Sequence, residues 1–263
     1  MGFRIAGDTA ALTQAINTFN AQYHRDYFSV RRHAAAYLAG SPALPHAQQL
    51  AVHLSGALES WGAGKRLAPS CRTVDAAAQA LCNPALHARL QELAQSFPYL
   101  EVIERKRHLK EGAPFPTVEQ FDRALIAALG MLADALLVNN TNVTYPMKAL
   151  LLITGLMPAY DSQVKGGLAI AGVAGINKTR YLLPTGNGAD TMKICVLPFH
   201  IAESVKHSRV LFDTAIENSL YPELKGEYGR LFDILFFMQR GRCKKTALIE
   251  FCAPTPLRRW YDM

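Results

Sequence analysis

The stretch TVEQFDRALIAALGMLADALLV, residues 117–138, decides the class of fold. Thr117 followed three residues later by Gln120 is the capping-box pattern of a helix N-terminus. Leucines then recur every three or four residues, a spacing that places them on one helical face. From residue 124 to residue 138 the segment is apolar on almost every side, apart from Asp134. It therefore predicts a central, buried helix.

Helical periodicity extends over most of the remaining chain. Apolar residues three or four apart form further faces at Leu12, Ile16, Phe19 and Tyr23, at Leu50, Leu54, Leu58 and Trp61, and at Leu86, Leu90, Leu93 and Phe97. The same pattern predicts later helices at residues 191–207, 208–220 and 224–239. Strand-like alternation is confined to residues 99–103 and 247–251, and no strand-helix unit repeats.

The elements together predict an all-α, multi-helix globular protein. Residues 112–116, rich in glycine and proline, are the best candidate for a linker. They would separate an N-terminal helical part, residues 1–111, from a C-terminal helical part, residues 117–263. The two helical halves are expected to pack together.

Composition favours a compact, soluble protein. Half of the 263 residues are apolar and 19% are charged, which excludes a disordered chain. No apolar run approaches the roughly 20 residues of a membrane span, and no secretory leader opens the sequence. The five cysteines contain no CxxC pair, so free thiols in the cytoplasm are expected. The histidine spacing matches no metal motif, and neither a metal nor a cofactor is predicted.

The segment at residues 146–165 is the strongest candidate for a site. A short apolar helix at residues 149–153 ends at Gly155, and Met157-Pro158-Ala159-Tyr160 lead to Asp161. Because an apolar helix buries itself, the carboxylate that follows it should be fixed and poorly solvated. A carboxylate in such surroundings is suited to chemistry.

The order of lysine, apolar helix, proline and aspartate resembles the helix-hairpin-helix DNA glycosylases. The resemblance implies that Asp161 stabilises an oxocarbenium-like transition state and that Lys148 attacks the sugar. The Gly-h-Gly hairpin of that family is replaced here by residues 144–147, and the spacing from Lys148 to Asp161 is shorter. With Ser60-Trp61-Gly62 upstream, the segment is also similar to uncharacterised bacterial helical proteins, which implies no activity. Alternatively, Asp161 caps the next helix and the Lys148 side chain extends to the surface.

A second candidate lies at residues 172–179, GVAGINKT. The stretch matches the phosphate-binding loop GxxxxGK[ST] except that Asn177 replaces the final glycine, and no βαβ pattern surrounds it. A glycine hairpin whose amides contact nucleic-acid phosphates, together with Lys178 and Arg180, is the plainer alternative.

Basic residues suggest a polyanionic partner. Lysine and arginine exceed aspartate and glutamate by seven. The candidate contacts to the phosphates of DNA or RNA are Lys65, Arg66, Lys165, Lys178 and Arg180. Ordinary solvated surface is the alternative for these residues, and Trp61 is expected in the core.

Three functions remain open from the sequence. The favoured one is a cytoplasmic helical protein that binds nucleic acid without chemistry. The second is a DNA glycosylase-like enzyme that uses Asp161 on a flipped nucleotide. The third is a helical protein-interaction module whose positive charge is incidental.

Overall fold

A computed structural model of the chain describes residues 2–176, 188–241, 247–252 and 260–261. Within these residues the fold is predominantly helical, as the sequence predicts, with ten α-helices. They are α1 (Thr9–Thr18), α2 (Ala21–Ala39), α3 (Leu44–Ser60), α4 (Val74–Leu81), α5 (Pro84–Ser96), α6 (Val118–Leu136), α7 (Thr144–Thr154), α8 (Ser162–Ile170), α9 (Ala189–Glu217) and α10 (Tyr228–Gly241).

Six short strands form three antiparallel pairs in the described residues. They are β1 (Gly2–Ile5), β2 (Ser70–Cys71), β3 (Leu100–Ile103), β4 (Lys106–Leu109), β5 (Leu137–Val138) and β6 (Ile249–Cys252). Strands β3 and β4 form a hairpin, and β2 pairs with β5. Strand β1 pairs with β6 in the register Phe3 opposite Phe251, so the first and last described strands of the fold lie together.

Helix α6 is largely buried, as the sequence predicts, but it is amphipathic. Its leucine face, which includes Leu125, Leu129 and Leu132, is fully buried, but Met131 is only partly covered and Asp134 is exposed. The more completely buried helix is α7, in which every residue from Tyr145 to Thr154 is buried. Helices α2, α3, α5 and α6 all pack against α7, which explains why it is apolar all round.

The C-terminal end of α7 is fixed by a glycine and a charged cluster. Gly155 has φ 68°, the left-handed conformation that closes a helix and favours glycine. The Glu227 carboxylate accepts hydrogen bonds from Tyr27 Oη (2.6 Å) and from the Arg31 guanidinium, and Arg31 also donates to Ile153 O. These contacts hold the start of the segment that leads to Asp161.

Helices α8 and α10 pack closely because glycines lie at their contact. A Cβ at Gly167 of α8 would lie 1.9 Å from Phe236 O of α10. At the other contact of α10, with the end of α7, a Cβ at Gly229 would lie 2.2 Å from Gly155 O. Helix α9 is bent at Ser208 (φ −127°, ψ 19°), the position at which the sequence predicts a new helix. Among the described residues, no helix combines the length and the apolar character that crossing a bilayer requires.

Candidate active site

Asp161 lies at the N-terminus of α8 and uses one carboxylate oxygen as a helix cap. Oδ1 accepts hydrogen bonds from the backbone amides of Gln163 and Val164, both at 2.9 Å. The other oxygen, Oδ2, lies 3.8 Å from Nζ of Lys148. Capping therefore fixes the carboxylate by one oxygen and leaves the second beside a cation.

Lys148 is buried on α7, with its side chain only 8% exposed. Nζ donates a hydrogen bond to Trp61 O at 2.8 Å and lies 4.8 Å from the centre of the Tyr145 ring. Burial lowers the pKa of Lys148, and the carboxylates of Asp161 and Asp233 oppose that shift. Lys148 thus points into the protein rather than to the surface.

A cavity of about 370 Å³ lies beside these two residues. It is lined from four regions of the chain: the end of α1 and the start of α2, the end of α3, the first turns of α7 and α8, and α10. The lining residues are Phe19, Tyr23, Trp61, Thr144, Tyr145, Lys148, Ala159, Asp161, Ser162, Gln163, Arg230, Asp233 and Phe237. The volume is within the range of small-ligand pockets, and the mixture of aromatic and convergent polar groups is typical of them.

A second charged pair, Arg230 and Asp233, lines this cavity and was not predicted from the sequence. Nη1 of Arg230 donates to Oδ2 of Asp233 at 2.6 Å, and Nη2 donates to Tyr23 O at 3.1 Å. Asp233 Oδ1 accepts from the Ala159 amide at 3.3 Å, so it holds the segment just before Asp161. Two opposite charges three residues apart inside the apolar run of α10 were the available sequence clue, because charges in such a setting are buried only in pairs.

Burial raises the pKa of Asp233 to about 6, although the Arg230 charge and the Ala159 amide oppose the shift. The negative charge of Asp161 acts in the same direction as burial. The charge of Asp161 therefore acts on Asp233 across the cavity. Pairs of carboxylates whose surroundings differ in this way are common in active sites.

Aromatic side chains form the remaining wall. The ring centres of Tyr23 and Trp61 are 5.4 Å apart, and Trp61 Nε1 donates to Asp26 Oδ2 at 3.1 Å. Trp61 is only 7% exposed, so it is a core residue that also lines the cavity. Burial, and then the charge of Asp161, raise the pKa of both Tyr23 and Tyr145.

The predicted phosphate contacts lie in different places. Lys65 and Arg66 are exposed in the loop that directly follows Trp61, and Arg66 has φ 55°. Lys165 is partly buried on α8, one turn after Asp161, where burial lowers its pKa and Asp161 opposes the shift. Lys178 and Arg180 lie outside the described residues, as do residues 177–179 of the stretch at 172–179.

The described lining of the cavity thus combines four charged groups with aromatic walls, and it forms no recognisable set of metal ligands. Within the part of the chain that the structure describes, no group of three or more His, Cys, Asp or Glu side chains is arranged to bind a metal ion. The function is argued from the site itself. No family model, no curated protein and no solved structure matches this chain.

Proposed function

We propose that the chain is an enzyme that cleaves N-glycosidic bonds in nucleic acid, and that the cavity beside Asp161 holds the everted base. One observation carries the proposal. A carboxylate, fixed by two amides on one oxygen, lines a pocket of ligand size with a buried lysine Nζ 3.8 Å from its other oxygen. The helix-hairpin-helix glycosylase resemblance gives the same role to the same aspartate.

Cleavage of an N-glycosidic bond is assisted by such a fixed carboxylate. When the bond between C1′ and the base nitrogen breaks, its electron pair leaves with the base and positive charge develops on the sugar. A carboxylate that is already fixed stabilises that charge without reorganising, and its effect is strongest in a poorly solvated site. The Asp161 side chain is 23% exposed, so it is reached from the cavity and only partly hydrated. Water then adds its oxygen to C1′ and completes hydrolysis.

We assign Lys148 the role of charge partner. Its Nζ donates to a backbone carbonyl and lies beside a carboxylate, and both contacts favour the protonated ammonium. In this role Lys148 orients Asp161 and lies as a cation beside its second oxygen. The attack on the sugar that the family resemblance implies needs the neutral amine. Lowering of the Lys148 pKa by burial is the one observation that favours that second role.

Two observations support nucleic acid as the substrate. Aromatic rings such as those of Tyr23 and Trp61 are the surfaces against which everted bases stack. Exposed Lys65 and Arg66 lie in the loop that follows Trp61, where phosphates on either side of an everted nucleotide could be contacted. The same cations favour binding without chemistry, which remains the second candidate function.

The deciding experiment compares wild type with Asp161→Asn on a panel of oligonucleotides that carry damaged or deaminated bases. Asn caps helices as well as Asp does, so the variant should fold while losing the negative charge. We expect cleavage to fall by about 10²–10³-fold with little change in oligonucleotide affinity. The matched control is Asp8→Asn at the cap of α1, where Asp8 Oδ1 accepts from the Ala11 amide at 2.8 Å.

Each result has one meaning. Cleavage by wild type and by Asp8→Asn, but not by Asp161→Asn, supports the enzyme. Salt-sensitive binding with no cleavage of any substrate would support the second candidate function, a protein that binds nucleic acid without chemistry. Absence of both binding and cleavage would reject both in favour of an interaction module.

A further inference from the structure

The cavity is lined by charges of both signs. Among the described residues that line it, two carry a positive charge, Lys148 and Arg230, and two a negative charge, Asp161 and Asp233. The Lys148 and Arg230 side chains are 8% and 1% exposed, so neither charge is neutralised mainly by solvent. A base with a net charge of its own would therefore lose hydration in a pocket whose carboxylates each already have a cation beside them, so its charge would be compensated only in part.

Two of the aromatic wall rings, Trp61 and Phe19, each have a cation of the protein itself over one face. The Arg230 guanidinium carbon lies 4.8 Å from the centre of the Trp61 ring and 4.9 Å from that of Phe19, and both rings line the cavity. It also lies 5.0 Å from the Tyr27 ring. Pockets that select cations do so with the negative faces of such rings. Here the chain's own arginine uses that attraction, so a second cation would meet a positive charge behind the rings.

We propose that the pocket selects an uncharged, planar, hydrogen-bonding base, in preference to bases that carry a positive charge through alkylation. The inference rests on the proposed function and adds to it the class of the base. The hydroxyls of Tyr23 and Tyr145 carry their protons at neutral pH, as phenols do, and burial raises the pKa of each further. Together with Thr144 and Gln163 they offer donors and acceptors to the edge of a neutral heterocycle.

This substrate class defines the reaction further. An uncharged base leaves with the electron pair of the broken C1′–N bond and so needs one proton, whereas a cationic base leaves neutral and needs none. One water molecule supplies both the proton and the hydroxyl group. Its hydroxyl oxygen bonds to C1′, and its proton goes to the departing base. The net reaction is nucleoside residue plus water giving free base and an abasic sugar.

The first test uses excision by the wild-type protein. Oligonucleotides with uracil or hypoxanthine represent uncharged bases, and those with 7-methylguanine represent cationic ones. Because cationic bases leave faster without any enzyme, the quantity compared is the rate enhancement over the uncatalysed reaction. We expect at least one uncharged base to exceed the cationic base by more than about tenfold, the effect of roughly 1.4 kcal/mol. A larger enhancement for 7-methylguanine would overturn the inference while leaving the proposed function intact.

The second test measures binding and does not depend on catalysis. Nicotinamide and its N-methylated cation are planar heterocycles of nearly equal size that differ in charge. Titration of the wild-type protein, followed by NMR of the ring signals, should give a dissociation constant at least about fivefold lower for nicotinamide, a difference near 1 kcal/mol. Equal or tighter binding of the cation would contradict the inference, and so would the absence of binding by either compound.

A variant pair then tests the cause. Arg230→Met with Asp233→Asn keeps the formal charges balanced but removes the cation from the Trp61 and Phe19 rings. It should reduce the preference for nicotinamide by about threefold or more, the value of a weak cation–π contact. Arg230→Lys keeps a cation at that place and should keep the preference. Selective binding of uncharged heterocycles without excision of any base would refute the proposed function and leave this inference standing.

Discussion

At the scale of single residues, buried charges are the main determinant of the site. Arg230 and Asp233 are almost completely buried and form an ion pair with each other, while Lys148 relies on a backbone carbonyl and on Asp161. Removing water from a charge is costly, so each of these groups depends on its partner. The structure therefore predicts strong coupling between neighbouring substitutions.

The Arg230–Asp233 pair should show this coupling in stability. Arg230→Met or Asp233→Asn alone should lower the free energy of unfolding by about 3 kcal/mol, because each leaves one buried charge without its partner. The double variant should lose less than the sum of the two, since Asn can still accept from the Ala159 amide. Urea unfolding of the four proteins gives the coupling energy. Additive losses would show that the two charges are not mutually compensated.

Borohydride trapping during cleavage of an oligonucleotide distinguishes the two roles of Lys148, charge partner and nucleophile. A charge partner forms no covalent link, so we expect no trapped complex with wild type. Lys148→Arg keeps the positive charge and should retain more activity than Lys148→Met, which leaves Asp161 without its cation. A covalent complex with wild type that disappears in Lys148→Arg would instead assign Lys148 as the nucleophile.

At the scale of elements, close glycine contacts bring the functional groups together. Helix α8 carries Asp161 at its cap and α10 carries Asp233, and the two helices meet where Gly167 contacts the Phe236 carbonyl. Helix α10 also begins against Gly155 through Gly229. The distance between the two carboxylates thus depends on backbone-to-backbone packing that side chains would prevent.

Gly167→Ala should separate α8 from α10. The added methyl group would meet backbone rather than a mobile side chain, so we expect a loss of about 1–3 kcal/mol in the free energy of unfolding. Oligonucleotide cleavage should fall as well, because Asp161 moves with α8. Gly130→Ala is the control, since a Cβ at that helical position meets nothing within 4 Å. Equal stability of the two variants would contradict the packing argument.

Helix α2 carries a histidine that makes stability depend on pH. His24 is fully buried, stacks on Tyr221 at 3.7 Å, and places Nε2 3.1 Å from Ile16 O. Burial, followed by the Arg230 charge, lowers the pKa of His24 to about 4. A group whose pKa is lower in the folded state stabilises the protein above its unfolded pKa and loses that effect as pH falls.

We therefore expect the contribution of His24 to the free energy of unfolding to decline from pH 6.5 towards pH 4, by about 1 kcal/mol per pH unit. His24→Gln should flatten this part of the stability curve, and exposed His46→Gln should not. The comparison is made as a difference from wild type, because Asp233, whose pKa is raised to about 6, acts in the opposite direction. Identical slopes for wild type and His24→Gln would refute the assignment.

At the scale of the whole molecule, the proposed contact with nucleic acid depends on exposed cations. Lys65 and Arg66 lie four and five residues after the wall residue Trp61, whereas Arg105 and Lys106 lie on the distinct β3–β4 hairpin. Both pairs are exposed neighbours at a turn with positive φ. They differ in location rather than in charge, which makes them matched variants.

Substituting Lys65 and Arg66 by alanine should weaken oligonucleotide binding similarly for all sequences. Loss of two phosphate contacts should reduce the slope of log affinity against log salt by about 2. The Arg105→Ala, Lys106→Ala control should leave the slope unchanged. Fluorescence anisotropy across a salt series measures both. An unchanged slope in the first variant, or an equal change in the second, would exclude this loop as the interface.

Much of the local structure was predictable, because helix periods and caps depend on residues close in sequence. The capping pattern at Thr117, the left-handed Gly155 and the bend at Ser208 all match the sequence. The two-part division at residues 112–116 stays a prediction. Which faces of α6 and α7 are covered was not predictable, since burial depends on the helices packed around them.

The sequence by itself determined the helical class, and it indicated Asp161 and Lys148 as candidate site residues only as a hypothesis. Only the tertiary structure decided that Arg230, Asp233, Tyr23 and Trp61 meet Asp161 at one cavity. These residues are up to about two hundred positions apart, as the Arg230 contact to Tyr23 shows. Their proximity follows from helix packing through glycine contacts and buried charge pairs, and interactions of such long range leave no local pattern in the chain.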